Sequence, residues 1–355
     1  MQWKGETKTC QIHSKISQEQ NKMLIQDTRD NGIGKNDLPN FINNTHASTE
    51  MTNPKKIAIS RAVHHPQFIF QNSAIFEHSP LYHALHEPRY KRREIIERIE
   101  ELTGNTFLCY FSRPYGPINQ DDIAPIADLL SKAPAGKNID LFLQTPGGDI
   151  DRAEKIVGMI RSHCEGFRAI VTESAKSAGT LIAIAADQIV MGYCSELGPI
   201  DPQIFGGTRP DGTPIFRAAA AFLEEIESLE KRDHIPDVYY PMLQQIDLSL
   251  IGECRRAIQR SIDFAQKYLE KYCCKGDIEK AKTIAQNLCD TKKYHSHGAV
   301  IDPKEAQKIG LPVKFLESND ELWKILWVIY CAYEIQLRQS GLTKIVESRH
   351  VSLMY

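Results

Sequence analysis

Leu141-Phe-Leu-Gln-Thr-Pro-Gly-Gly-Asp149 is a short apolar run that ends at a proline and two glycines. Apolar residues without alternation, bounded by such punctuation, read as a strand buried on both faces, and Ala153, Ile156, Val157 and Ile160 beyond it keep helical spacing. The rhythm extends in both directions. Residues 106–112 (TFLCYFS) read as a strand, DDIAPIADLLSKA as a helix and 138–145 as the strand holding the opening run. Residues 167–172 make another strand, 177–186 a helix and 188–192 a closing strand. Strands alternating with helices imply an α/β fold with parallel strands and right-handed crossovers.

The same punctuation marks the flanks. Residues 1–55 are polar and poor in aromatics, which leaves little apolar surface to offset chain entropy, and they read as a disordered tail. Residues 56–103 read as a helical segment, with Ile95, Ile96, Ile99 and Leu102 at helical spacing, Pro88 as an early interruption and Lys91-Arg92-Arg93-Glu94 as a solvated face. The core runs from 104 to 318. Within it, 217–289 is almost wholly helical in pattern and reads as an insertion between two halves of the core. Asp302, Pro303, Glu305 and Gly310 carry N-cap, N1, N3 and C′ signals for a small helix. Residues 319–355 read as an amphipathic helix from about Glu321 to Arg338 and a tail.

Composition narrows the function. The 355 residues carry 43 Lys and Arg against 45 Asp and Glu, a net charge of −2, so no global field attracts nucleic acid or anionic lipid. With 42% hydrophobic and 25% charged residues the chain matches a globular protein, and no apolar run approaches the roughly 18 residues of a membrane span. The first residues lack the apolar stretch of a secretory signal, which leads to the expectation of a reducing cytoplasm and of nine free cysteines. Neither Cys273-Cys274 nor the scattered others show a CxxC spacing, so no metal site is expected.

Three places carry chemistry. At Pro146-Gly147-Gly148 a strand turns into a helix, where backbone N–H groups and the helix N-terminus suit an oxyanion or phosphate; the same glycines serve a plain tight turn. In Val171-Thr-Glu-Ser-Ala-Lys-Ser177-Ala-Gly-Thr180 a serine stands at the start of a helix with small neighbours, as a nucleophile or as an N-cap. Ser174 lacks the following Ala-Gly and reads as strand exit. The third is a pair: Asp201, held between Pro199 and Pro202, and the segment Tyr294-His-Ser-His297-Gly298. A serine needs a base, and an imidazole base needs a carboxylate to fix its tautomer. His295 and His297 are both candidates; Asp201 also fits a turn opener.

TPGGDIDRA, ESAKSAGTLIAIAAD, ELGPIDPQI and YHSHGAVIDPKEAQKIGL occur in one order over about 107–316, and with them the chain resembles the serine dehydrogenase proteinase family. That family is a branch of the Clp protease/crotonase superfamily, related also to signal peptide peptidase A. The resemblance implies a Clp/crotonase-like ββα superhelix core with a helical insertion. It further implies a serine endopeptidase with Ser177 as nucleophile, His297 as base, Asp201 as orienter and the Gly148 and Ala178 N–H groups as oxyanion donors. Gly147 and Gly179 would line the substrate path. Relative to Clp proteases, base and orienter exchange places along the chain. Protein or peptide substrates, ring-like or trimer-based homo-oligomers and no cofactor are implied, with the helices of 217–289 gating the site. Three rivals remain: a Ser–Lys dyad using a lysine such as Lys231, Lys176 being turned away if a helix starts at Ser177; a crotonase-type coenzyme A thioester enzyme; and an inactive scaffold.

Overall fold

The computed structural model describes Ser79–Tyr355, apart from Asp233 and Gln245. The expected tail over 1–55 and the start of the 56–103 segment lie outside the described residues. In chain order the strands are β1 (Thr106–Ser112), β2 (Ile139–Gln144), β3 (Phe167–Val171), β4 (Ser174–Ala175), β5 (Gln188–Met191), β6 (Glu196–Leu197), β7 (Gln203–Thr208), β8 (Pro214–Ala218), β9 (Val313–Phe315), β10 (Lys344–Ser348) and β11 (Ser352–Met354). The main helices are α1 (Glu87–Thr103), α2 (Ile123–Lys132), α3 (Ile150–His163), α4 (Ala178–Ile184), α5 (Ala219–Glu230), α6 (Leu248–Tyr268), α7 (Ile278–Leu288), α8 (Pro303–Ile309) and α9 (Glu321–Ser340).

Seven strands form one sheet in the order β11-β10-β1-β2-β3-β5-β9, parallel from β1 to β9. Side chains alternate between its two faces. Leu108, Tyr110, Leu141, Ala169 and Ile189 enter one core; Phe107, Cys109, Phe111, Phe142, Ile170 and Val190 enter the other. Every residue of β2 is buried, which is why its sequence shows no alternation. Each such Leu, Ile or Phe side chain contributes about 1.5–3 kcal/mol when removed from water. Helices α1 and α9 cover the second face through Ile96, Ile99, Leu326, Ile329 and Tyr333. The first face takes α2, α3, α4 and part of the insertion, including Phe264 and Leu288.

The helical run does break early, as Pro88 signals: a short helix, Pro80–Leu85, ends at His86, and Pro88 sits in the first turn of α1, which has no need of its missing N–H. Two sequence expectations need correction. Arg92, expected on a solvated face, is buried and holds both Glu347 carboxylate oxygens at 2.9 Å. Beyond α9 the chain is not a tail. It turns back as β10, antiparallel to β1, and β11. The charges of β10 concealed it, since Glu347 pairs with Arg92 and Lys344 pairs with Asp122, so that a wholly buried strand reads as polar.

The helical insertion also begins differently. Before α5 the chain makes an antiparallel hairpin, β7 and β8, with Arg209-Pro-Asp-Gly212 at its tip, a turn signal visible in the sequence. The Ala219 N–H donates to Pro202 O at 2.9 Å, so the hairpin leaves and rejoins the core at one point. α6 then packs against both α5 and α7. At α8 the structure matches the signals: Asp302 accepts the Glu305 N–H, and Gly310 adopts φ 104°.

Lys344 Nζ donates to both Asp122 oxygens, at 2.7 and 3.0 Å, and to Pro117 O at 2.8 Å. Both side chains are buried, so Asp122→Asn is expected to lower unfolding free energy by about 3–5 kcal/mol through an uncompensated ammonium. Urea unfolding should show a lower midpoint with an unchanged slope. A midpoint equal to that of the wild type would refute the role of this pair.

Candidate active site

A second, smaller layer of backbone pairing forms where β2 and β3 end. Thr145, directly after β2, bridges to Ala175 in β4; β4 runs parallel to β6; Leu197 in β6 bridges to Ile301; and Gly148 bridges to Ile118. Loops at the carboxyl ends of parallel strands are the usual place for ligands in α/β sheets. This layer brings together the Pro-Gly-Gly loop, the turn holding Ser177 and the segments holding Asp201 and His297.

Ser177 has φ 51° and ψ −116°, in the left-handed half of backbone space that few residues other than glycine occupy. The cause is a tight turn closed by the Gly179 N–H on Lys176 O at 2.7 Å, with Ser177 at the first central position, where primed turns ordinarily carry glycine. Such a backbone costs on the order of 1–3 kcal/mol. The hydroxyl does not cap its own helix, although α4 begins at the next residue. The N-cap reading of this serine is therefore corrected.

Gly147 packs directly on this turn. A side chain there would meet Ser177 Cβ and Lys176 O at 2.8 Å, so only glycine lets the loop lie against the serine. Gly148, with φ 144°, is held by Ile118, whose N–H donates to Gly147 O at 2.7 Å and whose carbonyl accepts the Asp149 N–H at 2.9 Å. Among the described residues neither the Gly148 nor the Ala178 N–H donates to an acceptor of the chain. Gly179, expected on the substrate path, is instead buried: a side chain would meet Thr145 Cγ2 at 2.4 Å, so its role is to let α4 pack under the loop.

Leu197 and Ile301 exchange both backbone hydrogen bonds, at 2.9 and 3.0 Å, as an antiparallel pair. Asp201 lies four residues after Leu197, and His297, in a turn, four before Ile301; the two side chains face each other, Nδ1 to Oδ2 at 3.7 Å. Asp201 is buried, with a side chain 5% exposed, and His297 is one-third exposed. Asp201 Oδ1 and His297 Nδ1 are both buried atoms without a hydrogen-bond partner. His295, the alternative imidazole, is exposed and has φ 52°.

Sequence reasoning missed two supports. Gln203 Nε2 donates to Asp201 Oδ2 at 3.1 Å, a partner within the ELGPIDPQI run itself. Lys176 Nζ lies 2.7 Å from Glu196 Oε1 and donates to Leu197 O at 3.3 Å and Ala299 O at 3.1 Å, which takes it away from the serine turn. Ser174 is occupied by Gln144 and Glu173, in keeping with strand exit. Cys289 lies near enough to Asp201 to feel its charge; burial, and then that charge, push its thiol up to about 12, so it stays protonated and is no rival nucleophile. The eight described cysteines are all free thiols; Cys10 lies outside the described residues.

Residues 89–330 match the family described as ClpP-like SDH-type serine proteinase. Two similar proteins come from Methanocaldococcus jannaschii. The uncharacterized protein MJ0137 is 32% identical over 64% of this chain and 69% of its own, and the uncharacterized protein MJ1495 is 29% identical over 63% and 71%. Similar solved structures include a mutant of the 1510-N membrane-bound stomatin-specific protease, with 19% identity, TM-score 0.36 and coverage of 62% of this chain and 84% of that one. A ClpP1 mutant from Listeria monocytogenes is 16% identical, with TM-score 0.34 and coverage of 63% and 99%. Among the described residues no helix is long and apolar enough to cross a membrane.

The loop geometry is testable by itself. In Gly148→Ala the new methyl would stand 2.4 Å from Ile118 N and O, on a backbone that disfavours side chains, at a cost of about 1–3 kcal/mol. Hydrogen exchange should show faster exchange at the Ile118 and Asp149 amides, while amides of β2 and β3 keep wild-type protection. Unchanged exchange at Ile118 would refute the stated role of this glycine.

Proposed function

The chain belongs to the ClpP-like SDH-type serine proteinase family, and we propose that it is a serine endopeptidase that cleaves extended peptide chains through an acyl-enzyme. The single observation that carries the assignment is the facing of Asp201 and His297, Nδ1 to Oδ2 at 3.7 Å, in a chain whose Ser177 holds a strained turn. In this reading Ser177 Oγ attacks the scissile carbonyl carbon while His297 takes its proton. Asp201 fixes the ring through Nδ1 and stabilises the imidazolium, and Gln203 steadies the carboxylate. The carbonyl oxygen, now negative, receives the Gly148 and Ala178 N–H groups. As the C–N bond breaks, His297 returns the proton to the leaving amine; water, deprotonated by the same ring, then releases the acid and restores Ser177.

The competing dyad is disfavoured by the position of Lys176, whose ammonium is engaged by a carboxylate and two carbonyls, and by the exposure of Lys231 at the end of α5. A crotonase-type thioester enzyme would use the two amides without any need for the strained serine or the acid–imidazole pair. Peptide substrates, assembly into homo-oligomers and gating by the insertion helices are proposed from the family, as is a reaction without metal or cofactor.

A fluorophosphonate probe tests the reading. Wild-type protein is expected to label, Ser177→Ala not at all, and His297→Ala about 10²–10⁴-fold more slowly, the usual contribution of a general base. Full labelling of His297→Ala would exclude the triad. Folded wild-type protein that never labels would favour the thioester or scaffold reading, and native mass of the same samples reports the assembly.

A further inference from the structure

Lys176 precedes the proposed nucleophile yet reaches away from it, across β6 and onto the segment that carries His297. Its three ammonium protons have three acceptors: Glu196 Oε1 at 2.7 Å, Ala299 O at 3.1 Å and Leu197 O at 3.3 Å. The side chain is 15% exposed, and its stem crosses over Gly198, where a β-carbon would stand 2.6 Å from Lys176 Cδ. Leu197 O is also the acceptor of the Ile301 N–H, so the ammonium sits at a backbone pair that joins the segments carrying Asp201 and His297. Ala299 is two residues from His297, in a segment with little regular structure of its own.

From this we propose that Lys176 is a positioning residue. It ties the serine turn, the aspartate strand and the histidine segment into one unit, acting on catalysis through His297 rather than as a base. The proposal rests on the peptidase reading for its catalytic half only, since the tether is a structural claim in its own right. A lysine base would have to turn its Nζ from these three acceptors back to the serine it precedes in sequence. A cationic tether needs only to keep that charge in place, which arginine also does.

Four substitutions in the full chain test this: Lys176→Met, Lys176→Arg, Glu196→Gln and Gly198→Ala. Lys176→Met keeps the stem and removes the charge. Hydrogen exchange at the Leu197 and Ile301 amides is expected to accelerate about tenfold to a hundredfold in Lys176→Met, the range for losing a hydrogen bond to a charged group, with β2 and β3 unchanged. Gly198→Ala, which displaces the stem, should do the same, and Glu196→Gln should fall between. Wild-type protection in both Lys176→Met and Gly198→Ala would overturn the tether.

Fluorophosphonate labelling then reads the catalytic half. Lys176→Met should label more slowly by a similar factor, whereas Lys176→Arg should recover most of the wild-type rate and keep the wild-type pH profile. If arginine fails as completely as methionine while the two amides stay protected, the lysine acts as a base and the positioning role is overturned. Should wild-type protein not label at all, the peptidase reading fails, and the exchange arm still decides whether Lys176 is the tether.

Discussion

Two hydrogen bonds between Leu197 and Ile301 join the segments that carry Asp201 and His297. The residues that face each other at its centre are far apart in sequence, and the whole helical insertion lies between them. Neither flank of that insertion is a long strand. The reciprocal pair anchors both segments at one point, and from there the Asp201 stretch and the turn holding His297 run without a ladder to the place where the two side chains meet. The ammonium of Lys176 lies at this pair, and Ile200 adds a bond from its N–H to Leu288 O at 2.8 Å, which joins the end of the insertion to the aspartate strand.

The large sheet supplies rigidity for this arrangement without entering it. Its strands bury both faces, so the loops at their carboxyl ends start from fixed positions. β10 and the buried Lys344–Asp122 pair extend that order to the loop before α2, where Pro117 O accepts from Lys344 Nζ and Ile118 pairs with Gly148. A chain of short contacts thus runs from the edge of the sheet to an amide of the serine site. The strain at Ser177 is maintained by the same surroundings, since α4 is buried throughout and cannot relax the turn.

The α/β order and the position of the loops were legible in the sequence, because buried parallel strands are continuous apolar runs and the turns between them need glycine or proline. Asp302 and Gly310 marked α8 to the residue. What escaped was structure whose burial depends on distant charge. β10 contains Lys344 and Glu347, and only Asp122 and Arg92, remote in sequence, make a core strand of it. The hairpin of β7 and β8 escaped differently: its Pro-Asp-Gly turn is plain, but no apolar alternation accompanies it, since both strands lie largely at the surface. At the site, Ser177, Asp201 and His297 stand out as candidates by residue type, and their roles are assigned through the family resemblance, while the strained turn, the Gln203 support and the course of Lys176 required coordinates.

That hairpin has a consequence for engineering. It leaves the core after Pro202 and returns at Ala219, where a backbone bond closes its base, and Phe205 and Phe216 pack edge to face in the open along its strands. Between those two anchor points the chain is an arm that lies largely at the surface. Its length, composition or an inserted reporter could be varied as a cassette, with the acid one residue before the joint still fixed by contacts that the arm beyond Gln203 does not supply.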